Sequence, residues 1–183
     1  MEKEKIIKVT VGGAQYAYPY GTSYRKIAAD FQERFSCDIL LVKQDGALRE
    51  LHHVLKRECV LEMVTAQDVP GIQTYERSAV FLMLKAFYDV VGRQDVERIS
   101  IEYSLSRSIF VLAQGNFTLD QALLDRIEER MRELSAQALP IEKQSIRVDE
   151  AMELFRQAGM LHKAQLLSFR LDSHVNVYSL DGF

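Results

Sequence analysis

The chain opens on a period-two alternation, with Ile7, Val9 and Val11 on one face of an extended segment and Lys8 and Thr10 on the other. That is the pattern of a strand with one buried side. Gly12-Gly13 then supplies a two-residue turn, and a second alternating run passes through Tyr16 and Tyr18, so the first predicted unit is a β-hairpin. Gly21-Thr22-Ser23 carries turn and cap chemistry, after which Tyr24, Ile27, Ala28, Phe31 and Phe35 fall at helical spacing. Cys37 to Val42 reads as a short apolar strand, Asp45-Gly46 as a tight turn, and Val60 to Val64 as another strand. Hairpin, helix and further strands within about 65 residues predict a small β-grasp sheet with its helix packed on one face.

Asp68-Val69-Pro70-Gly71 is a run of turn formers and marks an expected domain boundary, giving a first domain over 1–68 and a second over 69–183. Ser78 to Val91 is a nearly all-apolar helix, which implies burial on more than one side. Ile99, Ile101 and Tyr103 alternate with Arg98, Ser100 and Glu102, and Ile109 to Ala113 comes next, with Gln114-Gly115-Asn116 closing a second hairpin. Thr118 and Gln121 have the spacing of a capping box, and the helix they would start carries Leu119, Leu123, Ile127, Met131 and Leu134 on one stripe. Beyond Pro140, a strand is expected over Ile141 to Val148, a helix capped by Asp149 and ended by Gly159, a short helix around His162 to Arg170, and a last strand near Val175 to Tyr178. The whole is expected to be α+β, without a repeat of solenoid period.

Composition adds limits to this picture. At 183 residues, 48% hydrophobic and 27% charged, with nine Gly and three Pro, the chain can bury a core, which excludes disorder, collagen-like repeats and a disulfide scaffold. The amino-terminal Met1-Glu-Lys-Glu-Lys5 precedes no apolar signal core, and no stretch approaches the ~20 apolar residues of a membrane span, so the cytoplasm is the expected location. Cys37 and Cys59 read as reduced thiols among apolar neighbours in predicted strands. The net charge of −3 divides unevenly, since residues 1–57 hold ten Lys and Arg against seven Asp and Glu, and residues 58–183 hold thirteen against nineteen. The first part is mildly basic, a weak field beside that of dedicated nucleic-acid domains.

The residues display no catalytic constellation. No Gly-x-x-x-x-Gly-Lys run is present to cradle a nucleotide triphosphate, and Gly12-Gly13 lies between strands where a hairpin turn explains it. His52, His53, His162 and His174 include no pair at i, i+4, and extended neighbours such as His52 and His53 would point to opposite faces, so no metal site is expected. Glu128, Glu129 and Glu133 read as a solvated helix face beside Arg126, Arg130 and Arg132.

Four phrases in register, Ile7 to Gly13, Tyr20 to Ser23, Ile27 to Ala29 and Asp45 to Leu51, resemble the TGS domain. This ubiquitin-like β-grasp module stands at the amino end of threonyl-tRNA synthetases and in certain regulatory GTPases and alarmone synthetases, and the resemblance covers residues 5–68. The rest of the chain resembles the second additional domain of the same synthetases, the threonyl/alanyl-tRNA synthetase editing-like domain. The residues that carry this second likeness are Tyr75 to Ser78 before an apolar helix, Ile127, Glu128 and Met131 at the end of another, and Val148 to Ala151 leading into Leu154-Phe155. In that family a His-x-x-x-His pair opens the helix and belongs to a site that removes wrongly attached serine. The matching positions here are Arg77 and Phe81, with Ser78 kept. The family's later Cys-x-x-x-His would fall beyond Phe183, so the second domain is expected to be truncated and editing is not expected.

A TGS module joined to an editing-like domain without its histidines resembles the amino-terminal half of bacterial nucleoside kinases related to uridine kinase. That resemblance implies a non-catalytic segment sensing RNA or a small regulatory ligand, followed in the same chain by a phosphate-loop kinase domain using ATP and magnesium. The alternative expectation is a free-standing RNA-binding module derived from threonyl-tRNA synthetase, with Lys8, Arg25, Lys26, Lys43 and Arg49 as candidate phosphate contacts. Hydrolytic editing of mischarged tRNA ranks third, because an arginine and a phenylalanine supply neither base nor ligand.

Overall fold

The structure, a computed structural model, describes residues 5–105 and 108–183. The fold is α+β, and the chain divides into two compact units, Met1–Val80 and Phe81–Phe183.

In the first unit, β1 (Ile6–Val11) and β2 (Ala14–Pro19) form the expected hairpin, turning at Gly12 and Gly13 with φ of 56° and 83°. Two successive left-handed residues match the right-handed twist of the flanking strands. Helix α1 (Tyr24–Phe31) begins where Ser23 Oγ accepts the Lys26 amide at 3.3 Å, and its apolar face of Tyr24, Ile27, Ala28 and Phe31 is buried. The helix stops at Phe31, a single tighter turn over Gln32–Arg34 comes after it, and the backbone is extended by Phe35. Phe35 therefore leaves the apolar stripe on which its spacing places it and is 37% exposed.

Strand β3 (Ile39–Gln44) starts two residues later than Cys37, which lies outside any strand. The Gln32 side chain explains the delay, because its amide nitrogen donates to the Cys37 carbonyl at 2.9 Å and its oxygen accepts the Ile39 amide at 3.0 Å. It substitutes for a strand partner at the sheet's entrance. A second left-handed turn at Asp45-Gly46 leads to β4 (Ala47–Glu50), and β5 (Cys59–Thr65) completes a sheet of order β2-β1-β5-β3-β4. The β1–β5 pair is parallel and the rest are antiparallel. Val9, Ile27, Val42, Leu55 and Leu61 are almost wholly buried between sheet and helix. Each contributes about 1.5–3 kcal/mol relative to exposure.

Helix α2 (Val69–Val91) starts nine residues before the expected Ser78, so the run of turn formers is its first turn rather than a linker. Asp68 sets this start: one carboxylate oxygen accepts the Thr65 amide at 2.7 Å and the Thr65 hydroxyl at 2.9 Å, and its carbonyl takes the Ile72 amide. Pro70 sits where helical amides have no partner to lose.

The second unit begins within α2 and continues through β6 (Val96–Leu105), β7 (Ser108–Gly115), α3 (Gln121–Ala136), β8 (Glu142–Arg147), α4 (Val148–Gln157), α5 (Leu161–Leu167) and β9 (His174–Ser179). Strands β6 and β7 form one two-stranded antiparallel sheet, and β8 and β9 another. Ala86 and Phe87 of α2 pack with Leu123, Ile127 and Leu134 of α3 as its core.

Two caps differ from expectation. Helix α3 is capped by Asp120, whose carboxylate accepts the Leu123 amide at 2.9 Å, and not by Thr118. A carboxylate nearer the helix outcompetes a hydroxyl, since it also meets the positive end of the helix dipole. Gln121 donates to Asp125 instead of reaching back, and Leu119 is left exposed before the helix. Helix α4 has Arg147 at its cap position, while Asp149 lies in the first turn and takes two hydrogen bonds from the Arg147 guanidinium at 3.0 Å.

Candidate functional site

The five candidate phosphate contacts all lie on the first unit, but on two sides of its sheet. Ile7 and Val9 face α1, so the intervening Lys8 projects to the opposite, open face. Lys43 stands opposite Glu62 across β3 and β5 and pairs with it at 3.7 Å. Arg49 is the partner of Val42, whose side chain lies in the core under α1, which places Arg49 on the helix side. Arg25 and Lys26 are exposed residues of the first turn of α1.

The chain after β4 runs beside the start of α1. The Arg25 amide donates to the Leu51 carbonyl at 2.8 Å and the Tyr24 amide to the His53 carbonyl at 2.9 Å, so the start of α1 is stitched to the segment just after Arg49. The structure thus separates Lys8 and Lys43 from Arg25, Lys26 and Arg49, which lie on the helix side of the sheet. Period-two alternation makes that division legible for Lys8, whereas the short exposed β4 escapes any pattern search.

The degenerate editing positions lie on α2. Arg77 donates to the Thr74 hydroxyl at 3.1 Å, and the Ser78 hydroxyl donates to the Thr74 carbonyl at 3.0 Å. The ring of Phe81 lies 5.5 Å from that of Phe183. The side chains at these positions are a permanent cation, a hydroxyl used as a backbone-directed donor and an apolar ring, none of which takes a proton from water near neutral pH.

The histidines require a correction. His52 and His53 do not lie in extended chain but occupy a turn that begins at Leu51, and their rings are 4.4 Å apart with planes inclined by 31°. His52 Nδ1 is 3.2 Å from a Glu50 carboxylate oxygen, and His53 Nδ1 is 3.3 Å from the Glu50 carbonyl. The turn removes the alternation that would send the rings to opposite faces. The side chain of His162 lies outside the described residues, and His174 is exposed with Nδ1 3.0 Å from the Ser173 hydroxyl. Both cysteines are free thiols. Burial pushes the Cys59 thiol up, with Asp45 adding to the effect, so it stays protonated and packs as a small apolar group.

One charged cluster in the second unit corrects the reading of Arg130 as part of a solvated face, since its side chain is 28% exposed and reaches another helix. Lys85, its side chain 7% exposed, pairs with Asp89 at 3.0 Å and lies 3.8 Å from Asp181, while Arg130 pairs with Asp89 and Glu133, both at 2.9 Å. Burial pulls the Asp89 carboxyl upward, but the hydrogen bonds and charges of Arg130 and Lys85 outweigh it and hold the carboxyl below the usual range. The i, i+4 spacing of Lys85 and Asp89 is a helical signal. The approach of Arg130, from a different helix, has no local one.

Among the described residues, no helix is long and apolar enough to cross a membrane. No family model matches the chain. It is similar to curated threonine-tRNA ligases: that of Halorhodospira halophila is 24% identical over 172 residues, 93% of this chain and 26% of the relative. That of Thermotoga neapolitana is 26% identical over 182 residues, 98% of the chain and 27% of the relative. That of Methylococcus capsulatus is 30% identical over 130 residues, 67% of the chain and 19% of the relative. These relatives support the synthetase-like resemblance and lend nothing to a nucleoside-kinase parent. Along nearly its whole length, the chain is similar to about a quarter of a threonine-tRNA ligase.

Proposed function

We propose that this chain is an RNA-binding module related to threonine-tRNA ligase, engaging tRNA phosphates through Arg25, Lys26 and Arg49 and carrying no hydrolytic editing activity of its own. The observation that carries the reading is the similarity to tRNA ligases across both units, up to 98% of the chain. Arg25 and Lys26 in the first turn of α1, with Arg49 on the same side of the sheet, offer a surface for phosphate, and the chemistry at Arg77, Ser78 and Phe81 argues against deacylation. A kinase parent with ATP and magnesium draws no comparable support.

Fluorescence anisotropy with labelled tRNA at rising salt tests the proposal. Three phosphate contacts predict that log Kd changes with log salt with a slope of about two to three. The triple variant Arg25→Ala/Lys26→Ala/Arg49→Ala should bind at least about tenfold more weakly with a flatter slope. Absence of saturable, salt-sensitive binding overturns the proposal. Hydrolysis of seryl-tRNA that disappears in Arg77→Ala would restore the editing reading.

A further inference from the structure

We propose that Glu50, His52 and His53 form a surface site for one divalent first-row transition-metal ion of the zinc type. One ligand atom from each of the three residues lies within 4.8 Å of the others. Tetrahedral zinc, with bonds of about 2.0–2.2 Å to nitrogen and oxygen, sets its ligand atoms about 3.3 Å apart. The 3.2 Å separation of His52 Nδ1 from the Glu50 carboxylate is already such an edge. His53 supplies the third ligand atom, within 4.8 Å of the other two, from an exposed side chain.

The tautomer also suits a ligand. A proton held at His53 Nδ1 by the Glu50 carbonyl leaves the lone pair on Nε2, which is the orientation that outer hydrogen bonds give metal-bound imidazoles. The backbone beneath the three donors is fixed before any ion arrives. The His53 amide donates to the Glu50 carbonyl at 3.1 Å, the Leu51 and His53 carbonyls accept from Arg25 and Tyr24, and Leu55 exchanges hydrogen bonds with Gly21 and Thr22. Two nitrogens and one carboxylate leave a fourth position for water, so the ion would be exchangeable rather than structural. Bound there, it would tie the end of β4 to the turn that receives the first amides of α1.

Titration of the 183-residue chain with zinc chloride under a non-chelating reductant, monitored by calorimetry and by a thermal melt, tests this. The expected result is one ion per chain and a melting temperature that rises with zinc. His52→Ala, His53→Ala and Glu50→Gln should each weaken binding by at least about tenfold, and the double histidine variant should lose the thermal shift. Cys37→Ser should bind as the parent does. A lack of saturable binding near one equivalent overturns the site, as does binding that survives the double histidine variant or vanishes in Cys37→Ser. Because the three side chains lie at the surface, unchanged circular dichroism of each variant without zinc separates loss of a ligand from loss of fold.

Discussion

Arg130 points both Nε and Nη2 at the same oxygen of Asp89, at 3.0 and 2.9 Å, while Lys85 occupies the other oxygen at 3.0 Å. Asp89 therefore neutralises a lysine that is out of water, and Asn at this position would leave Lys85 with Asp181, at 3.8 Å, as its carboxylate among the described residues. Asp89→Asn should cost about 3–5 kcal/mol in urea unfolding, the range for breaking a buried pair from one side. Combining it with Lys85→Met should recover much of the loss. Because the carboxyl is held below its unfolded value, its contribution is complete above about pH 4 and fades as pH falls through the folded value. Acid titration of stability should be flatter in the double variant.

Tyr18 donates to Asp30 at 3.0 Å, and burial together with that hydrogen bond and charge raises its phenol to about 12 from an ordinary 10.0. The unfolded chain ionises first, so the stabilisation is fully present below pH 10 and is lost between 10 and about 12. Tyr18→Phe should lower stability at pH 8 by about 0.5–1.5 kcal/mol and make the alkaline decline shallower. Tyr24, also raised by burial, keeps part of that decline in the variant.

Gly71 is buried in the first turn of α2, and a Cβ added there would meet the Thr65 carbonyl oxygen at 1.9 Å. Backbone cannot swing aside as a side chain can. Gly71→Ala, a substitution that ordinarily favours a helix, should here destabilise the protein by at least about 1–3 kcal/mol. A denaturation midpoint that rises would disprove the close approach.

Asp45 combines a left-handed backbone with two carboxylate contacts, accepting the Val60 amide at 2.9 Å and the Arg57 guanidinium at 2.7 Å. Asn tolerates the same backbone and keeps an oxygen for Val60. Asp45→Asn should thus lose less than about 1 kcal/mol, the worth of an exposed ion pair, whereas Asp45→Ala should lose more. Chemical denaturation of the two variants side by side gives the order.

The elements legible in the sequence are those whose signal is local and repeated. The alternation of Ile7, Val9 and Val11, the Gly12-Gly13 and Asp45-Gly46 turns, and the spacing of Tyr24, Ile27 and Phe31 all lead to the observed structure. The misplaced boundaries fall where two local signals compete. Thr118 and Asp120 both have helix-capping chemistry, and the carboxylate wins; Pro70 and Gly71 are turn formers that a first helical turn also accepts. The site is less legible than the fold. Lys8 can be assigned to the open face from its neighbours, but the meeting of Arg25 with the chain beyond Arg49 depends on hydrogen bonds between segments far apart in sequence. His52 and His53 defeat the alternation rule because the chain turns where that rule takes it to be extended.

The parallel pairing of β1 with β5 governs how the first unit assembles. The hairpins β1–β2 and β3–β4 close over short loops and can form within microseconds, but Val9 meets Cys59, and Val11 meets Leu61, only after nearly the whole unit has been made. Closing that long loop is the step that joins the hairpins into one sheet and completes the seat of α1, so it should dominate the folding barrier. During synthesis the amino-terminal hairpin must therefore wait, with its apolar face uncovered, until β5 leaves the ribosome. A ribosome-bound chain whose β5 is still inside the exit tunnel should remain protease-sensitive, and one long enough to have released Thr65 should become protected in a single step.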